Sequence, residues 1–209
     1  MTDMKMDPSN SDRCHHLRWG EGFRINRDSF KHRVLTETNV FTDGSRLNEQ
    51  TGLGYVIYSQ NREEIHRAHY RLPDYATVFQ AEASAITKSS EYLSTLPIPP
   101  RHVKIFVDSQ AALLAISNPL VRSRTVLGTI TALNNLAAAV SSLSLCWIPA
   151  HKGYFGNTTA DDVAKRGAGE EDPSKKLKVH CPAATMKFNI KNYVYASWSK
   201  EWAHRHCKT

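Results

Sequence analysis

Val103-Lys104-Ile105-Phe106-Val107-Asp108-Ser109-Gln110-Ala111-Ala112-Leu113 is the stretch that decides the fold. Val103 to Val107 is short, apolar and rich in β-branched residues, and Pro99-Pro100 bounds it on one side. Such a run suits a strand covered on both faces, as in a parallel sheet. The pattern then breaks at Asp108, and Ser109 to Ser117 reads as a short helix ending before Asn118-Pro119. A carboxylate at the polar end of a buried strand is costly unless it is paired or holds a cation. Asp108 is therefore both a fold marker and a candidate ligand.

Outward from this stretch, a second apolar run ends the same way, in Asn39-Val40-Phe41-Thr42-Asp43-Gly44-Ser45. Gly52 to Ser59 and Glu64 to Arg71 read as two further strands joined by polar turns, giving an antiparallel meander. Thr77 to Leu96 carries Val78, Ala81, Ala85, Tyr92 and Leu93 at helical spacing, with Pro97 as its stop. Ser123 to Val140 reads as a longer helix, Leu143 to Ile148 as a strand closed by Pro149, and Asn157 to Ala168 as a last helix. The order βββαβααβα predicts an α/β fold: a mixed five-stranded sheet, three antiparallel strands followed by parallel crossovers, flanked by helices. In that topology the strands ending at Asp43 and Asp108 lie side by side and parallel. Their carboxyl ends then form the sheet edge where ligands bind in open α/β folds. Glu82 and Asp161, each in a helical pattern, are placed to join them. Four carboxylates so gathered would form an oxygen cage for Mg²⁺ or Mn²⁺.

The length fits one domain of roughly 150 residues with extensions. The divisions read as an N-terminal extension over 1–37, partly disordered, a core domain over 38–168, and a basic C-terminal extension over 169–209 with a helix. Residues 1–17 show no periodicity, and Met1 to Asn10 is polar, unlike a signal peptide. No apolar run approaches the roughly 18 residues that span a bilayer, so no membrane partner is expected. Cys14, Cys146, Cys181 and Cys207 are scattered, which points to an intracellular, reducing compartment without a disulfide framework. The Cys/His groups at Cys14-His15-His16, His180-Cys181 and His204 to Cys207 lack the paired cysteine spacing of a zinc site. The formal charge is +7, and the excess is mostly C-terminal, with 8 Lys/Arg against 4 Asp/Glu after Ala168. A polyanionic partner fits this balance, and so does a merely solvated tail.

These residues resemble the type 1 ribonuclease H family, and within it the ribonuclease H domain of non-LTR retrotransposon polyproteins. Phe41-Thr42-Asp43-Gly44-Ser45 resembles the family's first-strand motif, and Thr77-Val78-Phe79-Gln80-Ala81-Glu82 resembles its helix motif in a form typical of retrotransposon members. Val107-Asp108-Ser109-Gln110-Ala111-Ala112-Leu113 resembles the third motif. Trp147-Ile148-Pro149-Ala150-His151-Lys152-Gly153, with Gly156-Asn157-Thr158-Thr159-Ala160-Asp161, resembles the last. Any one of these is a weak signal; four in order on compatible elements are strong. The resemblance covers Asn39 to Ala168 and extends faintly to the Trp198 and Trp202 region. It departs at Thr158, where the family often has Glu, and in lacking the extra basic helix with which some members grip substrate.

The resemblance implies hydrolysis of the RNA strand of an RNA–DNA hybrid by two Mg²⁺ ions, with Mn²⁺ as a substitute. Asp43 would bridge both ions, Glu82 and Asp108 would complete one shell, and Asp161 the other. His151, in a Gly/Pro-bounded loop, would move a proton or ease product release. Gly44, Ser45, Gln80, Gln110 and Asn157 are candidates for substrate contact, and Thr77 for a DNA-strand phosphate. Asp162 and Glu91 read as solvated helix residues. The chain would act as a monomer, as a free protein or within a polyprotein that includes reverse transcriptase. A decayed nucleic-acid-binding module and a transposase or integrase of similar fold are the competing readings. In the tail, Lys175, Lys176 and Lys178 are expected to reach phosphate, while Tyr195, Trp198 and Trp202 pack on the domain.

Overall fold

The computed structural model describes residues 38–150 and 152–206, the last four as backbone only, together with the backbone of 15–16 and 23–26. The expected βββαβααβα order is present. It comprises β3 (Thr38–Leu47), β4 (Gln50–Tyr58), β5 (Glu64–Leu72), α1 (Val78–Thr95), β6 (His102–Val107), α2 (Gln110–Ser117), α3 (Arg124–Ala139), β7 (Ser142–Trp147) and α4 (Phe155–Ala168). Two short strands precede them, β1 (His15–His16) and β2 (Phe23–Asn26), and one long helix follows, α5 (Ala183–His206).

The five-stranded mixed sheet runs β7-β6-β3-β4-β5, with β3, β4 and β5 antiparallel and β6 and β7 parallel to β3. The sequence left 1–17 without regular structure, yet β1 pairs with β2, and β2 lies parallel to β7, extending the sheet to seven strands. β2 gives the outer edge of β7 hydrogen-bonding partners that it would otherwise take from water or another chain. The remaining expectations for 1–37 fall outside the described residues.

Alternation along the strands builds two cores. Val40, Tyr55, Ile57, Ile105 and Leu145 face α1, α2 and α3, where Ile86, Leu113, Ile130 and Leu133 meet them. Phe41, Val56, Phe106 and Cys146 point the other way and pack with Ala160 of α4. Each helix on the first face starts at a hydroxyl cap: Thr77 accepts from Gln80 N–H, Ser109 from Ala112 N–H, and Ser123 from Val126 N–H. On the second face α4 lies so close to the sheet that β4 carries glycine beneath it. A Cβ at Gly54 would sit 2.3 Å from the Ala164 nitrogen, and one at Gly52 2.0 Å from that of Ala168. No helix among the described residues is long and apolar enough to cross a membrane.

The C-terminal extension divides in two, a division the sequence did not reveal. Its first part is a strap that returns over the domain. Glu170 accepts from His69 at 2.7 Å and pairs with Lys175 at 3.2 Å. Leu177 N–H donates to the Arg71 carbonyl, Tyr75 Oη to the Val179 carbonyl, and Gln80 Nε2 to the His180 carbonyl. Leu177 and Val179 cover the small cluster of Leu53, Leu72, Ala76, Ala81 and Ala85. The second part, α5, corrects the packing expected of its aromatics: Tyr195, Trp198 and Trp202 are 60%, 70% and 68% exposed. Apolar residues lie on more than one side of this helix, so no single face is left to bury.

The Asp172 backbone N–H, His69 and Lys175 hold the Glu170 carboxyl down at about 2, so it is ionised at neutral pH. Glu170→Ala removes the acceptor on which the strap closes. Trypsin should then cut after Lys175, Lys176 or Lys178 several-fold faster than in the parent, while α1 and the sheet resist. Unchanged cleavage would show that the apolar contacts alone hold the strap.

Candidate metal centre

Asp43 occupies the sixth position of β3, opposite Gly54 of β4, and Asp108 follows the last residue of the parallel neighbour β6. The parallel register pairs Thr42 with Val107, so the two carboxylates leave the sheet at the same edge. Trp147, at the end of β7, donates its indole N–H to the Asp108 carbonyl at 3.2 Å and fixes that strand end.

Glu82 arrives from α1, one turn past the capping box formed by Thr77 and Gln80. Its helix comes so near β3 that a Cβ on Gly44 would stand 2.6 Å from the Glu82 nitrogen. Any side chain there would lift α1 off the strand and take Glu82 away from Asp43. The Gly44 backbone N–H faces both the Asp43 and Glu82 carboxylates and partly offsets the rise in their proton affinity.

One oxygen from each of Asp43, Glu82 and Asp108 lies within 4.8 Å of the others. Asp161, on the second turn of α4, lies near enough to Asp43 to raise its proton affinity. The structure thus brings three of the carboxylates singled out in the sequence into one cluster, with the charge of the fourth, Asp161, felt at Asp43. Asp43 and Glu82 are buried, with 8% and 6% of their surface exposed. Burial, then the charges of Asp108 and Asp161, push the Asp43 carboxyl up to about 8. Burial, then Asp43 and Asp108, raise Glu82 well above the usual carboxylate range. Like charges this close repel by on the order of 3 kcal/mol per pair at an effective dielectric of about 20.

The donor set fits a hard divalent cation. It is all oxygen, mostly buried, and anionic beyond what nearby cations balance, and Glu82 Oε2 is buried with no hydrogen-bond partner among the described residues. Lys165, one turn along α4, reaches Asp161 at 2.6 Å and is the cation the chain itself supplies at this edge.

The remaining site residues take several positions. Asn157 is buried and donates to Asp108 Oδ2 at 3.0 Å, so it orients a carboxylate from α4. Sequence reasoning gave it a substrate contact; the Gly-Asn pair at the helix start carried no signal of this bond. Gln80 is also buried, with its amide on Thr77, Thr125 and His180. Gly44, Ser45 and Thr77 are half-buried along the rim, and Gln110 is exposed at the start of α2. Asp162 points to solvent beside Asp161. His151 lies outside the described residues; it follows Ala150 in the loop between β7 and α4. Cys146 is buried and Cys181 half-buried, and neither forms a disulfide among the described residues.

A family model described as RNase H matches residues 36–169. Among solved structures, the chain is similar to RNase H1 from the halophilic archaeon Halobacterium salinarum NRC-1. The TM-score is 0.53 at 16% identity, over 64% of this chain and 98% of that one. It is also similar to LC11-RNase H1, solved in complex with an RNA/DNA hybrid, with a TM-score of 0.51 at 18% identity, over 63% and 96%. At these identities the likeness is one of fold. No curated protein matches the chain.

The crowding of carboxylates sets a pH dependence for the metal-free protein. In the unfolded chain Asp43 titrates near 3.8, and in the native site it is pushed up to about 8. Between these values the native state holds a proton that the unfolded state has lost, so stability falls as pH rises through the window. In EDTA the urea midpoint should drop between pH 5 and pH 8. Asp43→Asn should flatten that slope and raise the midpoint at pH 8. A variant less stable than its parent at pH 8 without metal would refute the repulsion.

Proposed function

The chain belongs to the RNase H family and is a ribonuclease H; from that premise we propose that it cleaves the RNA strand of RNA–DNA hybrids with two Mg²⁺ ions. The observation that carries this reading is the cluster of Asp43, Glu82 and Asp108 within 4.8 Å, with the charge of Asp161 felt at Asp43. Asp43 interacts with Glu82, Asp108 and Asp161 alike and would serve both ions. Glu82 and Asp108 would hold one ion with it, and Asp161 the other. When bound, the two ions lower the pKa of an attacking water and stabilise the charge that develops on the scissile phosphate and its leaving oxygen.

The rest of the chemistry falls to the chain's own residues. Asn157 keeps Asp108 turned toward the centre, and the Gly44 N–H keeps Glu82 beside Asp43. Mg²⁺ takes much of its shell from water and substrate phosphate, which suits a site at an open sheet edge. His151, which lies between β7 and α4 in the sequence, would be the group that moves a proton or eases product departure. Gly44, Ser45 and Gln110 would line the approach to the carboxylates. There, donors and acceptors can read the 2′-hydroxyls that distinguish RNA from DNA.

We propose in addition that the chain derives from the polyprotein of a non-LTR retrotransposon, where it would work beside a reverse transcriptase. The form of the Thr77 to Glu82 motif and a helix bearing Trp198 and Trp202 support this origin.

A labelled RNA–DNA hybrid should be cut within its RNA strand in Mg²⁺ and left whole in EDTA. Asp43→Asn should abolish cleavage while keeping the fold; wild-type turnover in that variant would sink the metal-centre reading. His151→Ala should slow cleavage by about ten- to a thousandfold, the order expected of a proton-transfer group. A loss as complete as that of Asp43→Asn would mean that His151 has a different role.

A further inference from the structure

We propose that α5 carries a docking stripe for unpaired nucleic-acid strands, DNA or RNA, separate from the catalytic centre. Phe188, Lys191, Tyr195, Trp198 and Trp202 recur at alternating intervals of three and four, which aligns them along one side of the helix. Phe188, Tyr195 and Trp198 are 63%, 60% and 70% exposed. Lys187 adjoins Phe188 and is exposed, and Lys191 sits with its ammonium 5.9 Å from the centre of the Tyr195 ring.

Open aromatic faces interleaved with cations match the chemistry of a single strand. Each unpaired base offers a face for stacking, and each linkage offers a phosphate for an ammonium. A duplex hides those base faces, so the stripe favours an unpaired strand over the hybrid cut at the sheet edge. The charge balance agrees: α5 carries Lys187, Lys191, Lys200 and Arg205 against Glu201 alone. The helix begins three residues after His180. The strap that leads into it is held by Gln80 through the His180 carbonyl, and Gln80 lies two residues before Glu82.

The test uses the full chain in EDTA with fluorescein-labelled oligothymidylate and oligouridylate of about 12 nucleotides, within the length such sites cover. Both should bind, and both should quench tryptophan emission. Tyr195→Ala with Trp198→Ala should weaken binding tenfold or more while circular dichroism and hybrid cleavage stay as in the parent. Lys187→Gln with Lys191→Gln should lower the salt slope by about 0.7 for each phosphate that is no longer neutralised. Met186→Ser with Ile190→Ser, off the stripe, should change neither. Strand binding unaffected by the paired aromatic substitutions would overturn the proposal. So would the loss of a dimer in those variants, seen by sedimentation, with strand affinity unchanged, because the stripe would then serve a second copy of the chain.

Discussion

Mutual repulsion among four carboxylates is the constraint around which this fold is arranged. Left to itself, a buried Asp43 facing Glu82, Asp108 and Asp161 would drive the elements apart or take up protons. The second tendency is visible in the raised affinity of Asp43 and Glu82 for protons. The first is resisted by backbone geometry. β3 and β6 share a parallel ladder from Thr38 to Thr42, so their ends cannot separate without breaking the centre of the sheet. The helices approach through glycine, α1 over Gly44 and α4 over Gly52 and Gly54, which leaves little freedom to retreat. A divalent ion relieves a strain the scaffold has already absorbed.

The polar contacts near the site have a division of labour. Asn157 and the Gly44 N–H act on carboxylate oxygens directly. Trp147 acts on the backbone of Asp108. Gln80 acts at one remove: it completes the cap of α1 and ties that cap to α3 through Thr125. Because Glu82 is only two residues further along, the direction of its side chain depends on that cap.

Much of this was legible in the sequence, because period-2 and period-3.6 patterns report burial directly. Two short apolar runs, Asn39 to Thr42 and Val103 to Val107, placed both strands, and a carboxylate ending each run placed the site. Other features left weaker traces. The strap residues Leu177 and Val179 stand among lysines with no periodicity, and their burial depends on a cluster distant in sequence. Short strands such as β1 and β2 owe their existence to the open edge of β7 rather than to their own composition. For α5, helical spacing revealed the helix and its aligned aromatics, yet spacing cannot say whether a face has a neighbour. Asn157 and Gln80 were noticed as polar residues near the ligands, but which amide bonds inward is a matter of three-dimensional reach.

The strap has a consequence for where this protein can be divided. The family match ends at 169, the close of α4. The hydrogen bonds and apolar cover that complete the β5 and α1 side come from Glu170 to His180. A chain cut at the family boundary would keep Asp43, Glu82, Asp108 and Asp161. It would also expose Leu72 and Ala76 to water and leave the buried Gln80 amide short of an acceptor, two residues from Glu82. The inherited module and the unit that folds are therefore of different lengths. Recombination that joined this module to another protein would have to carry the strap with it.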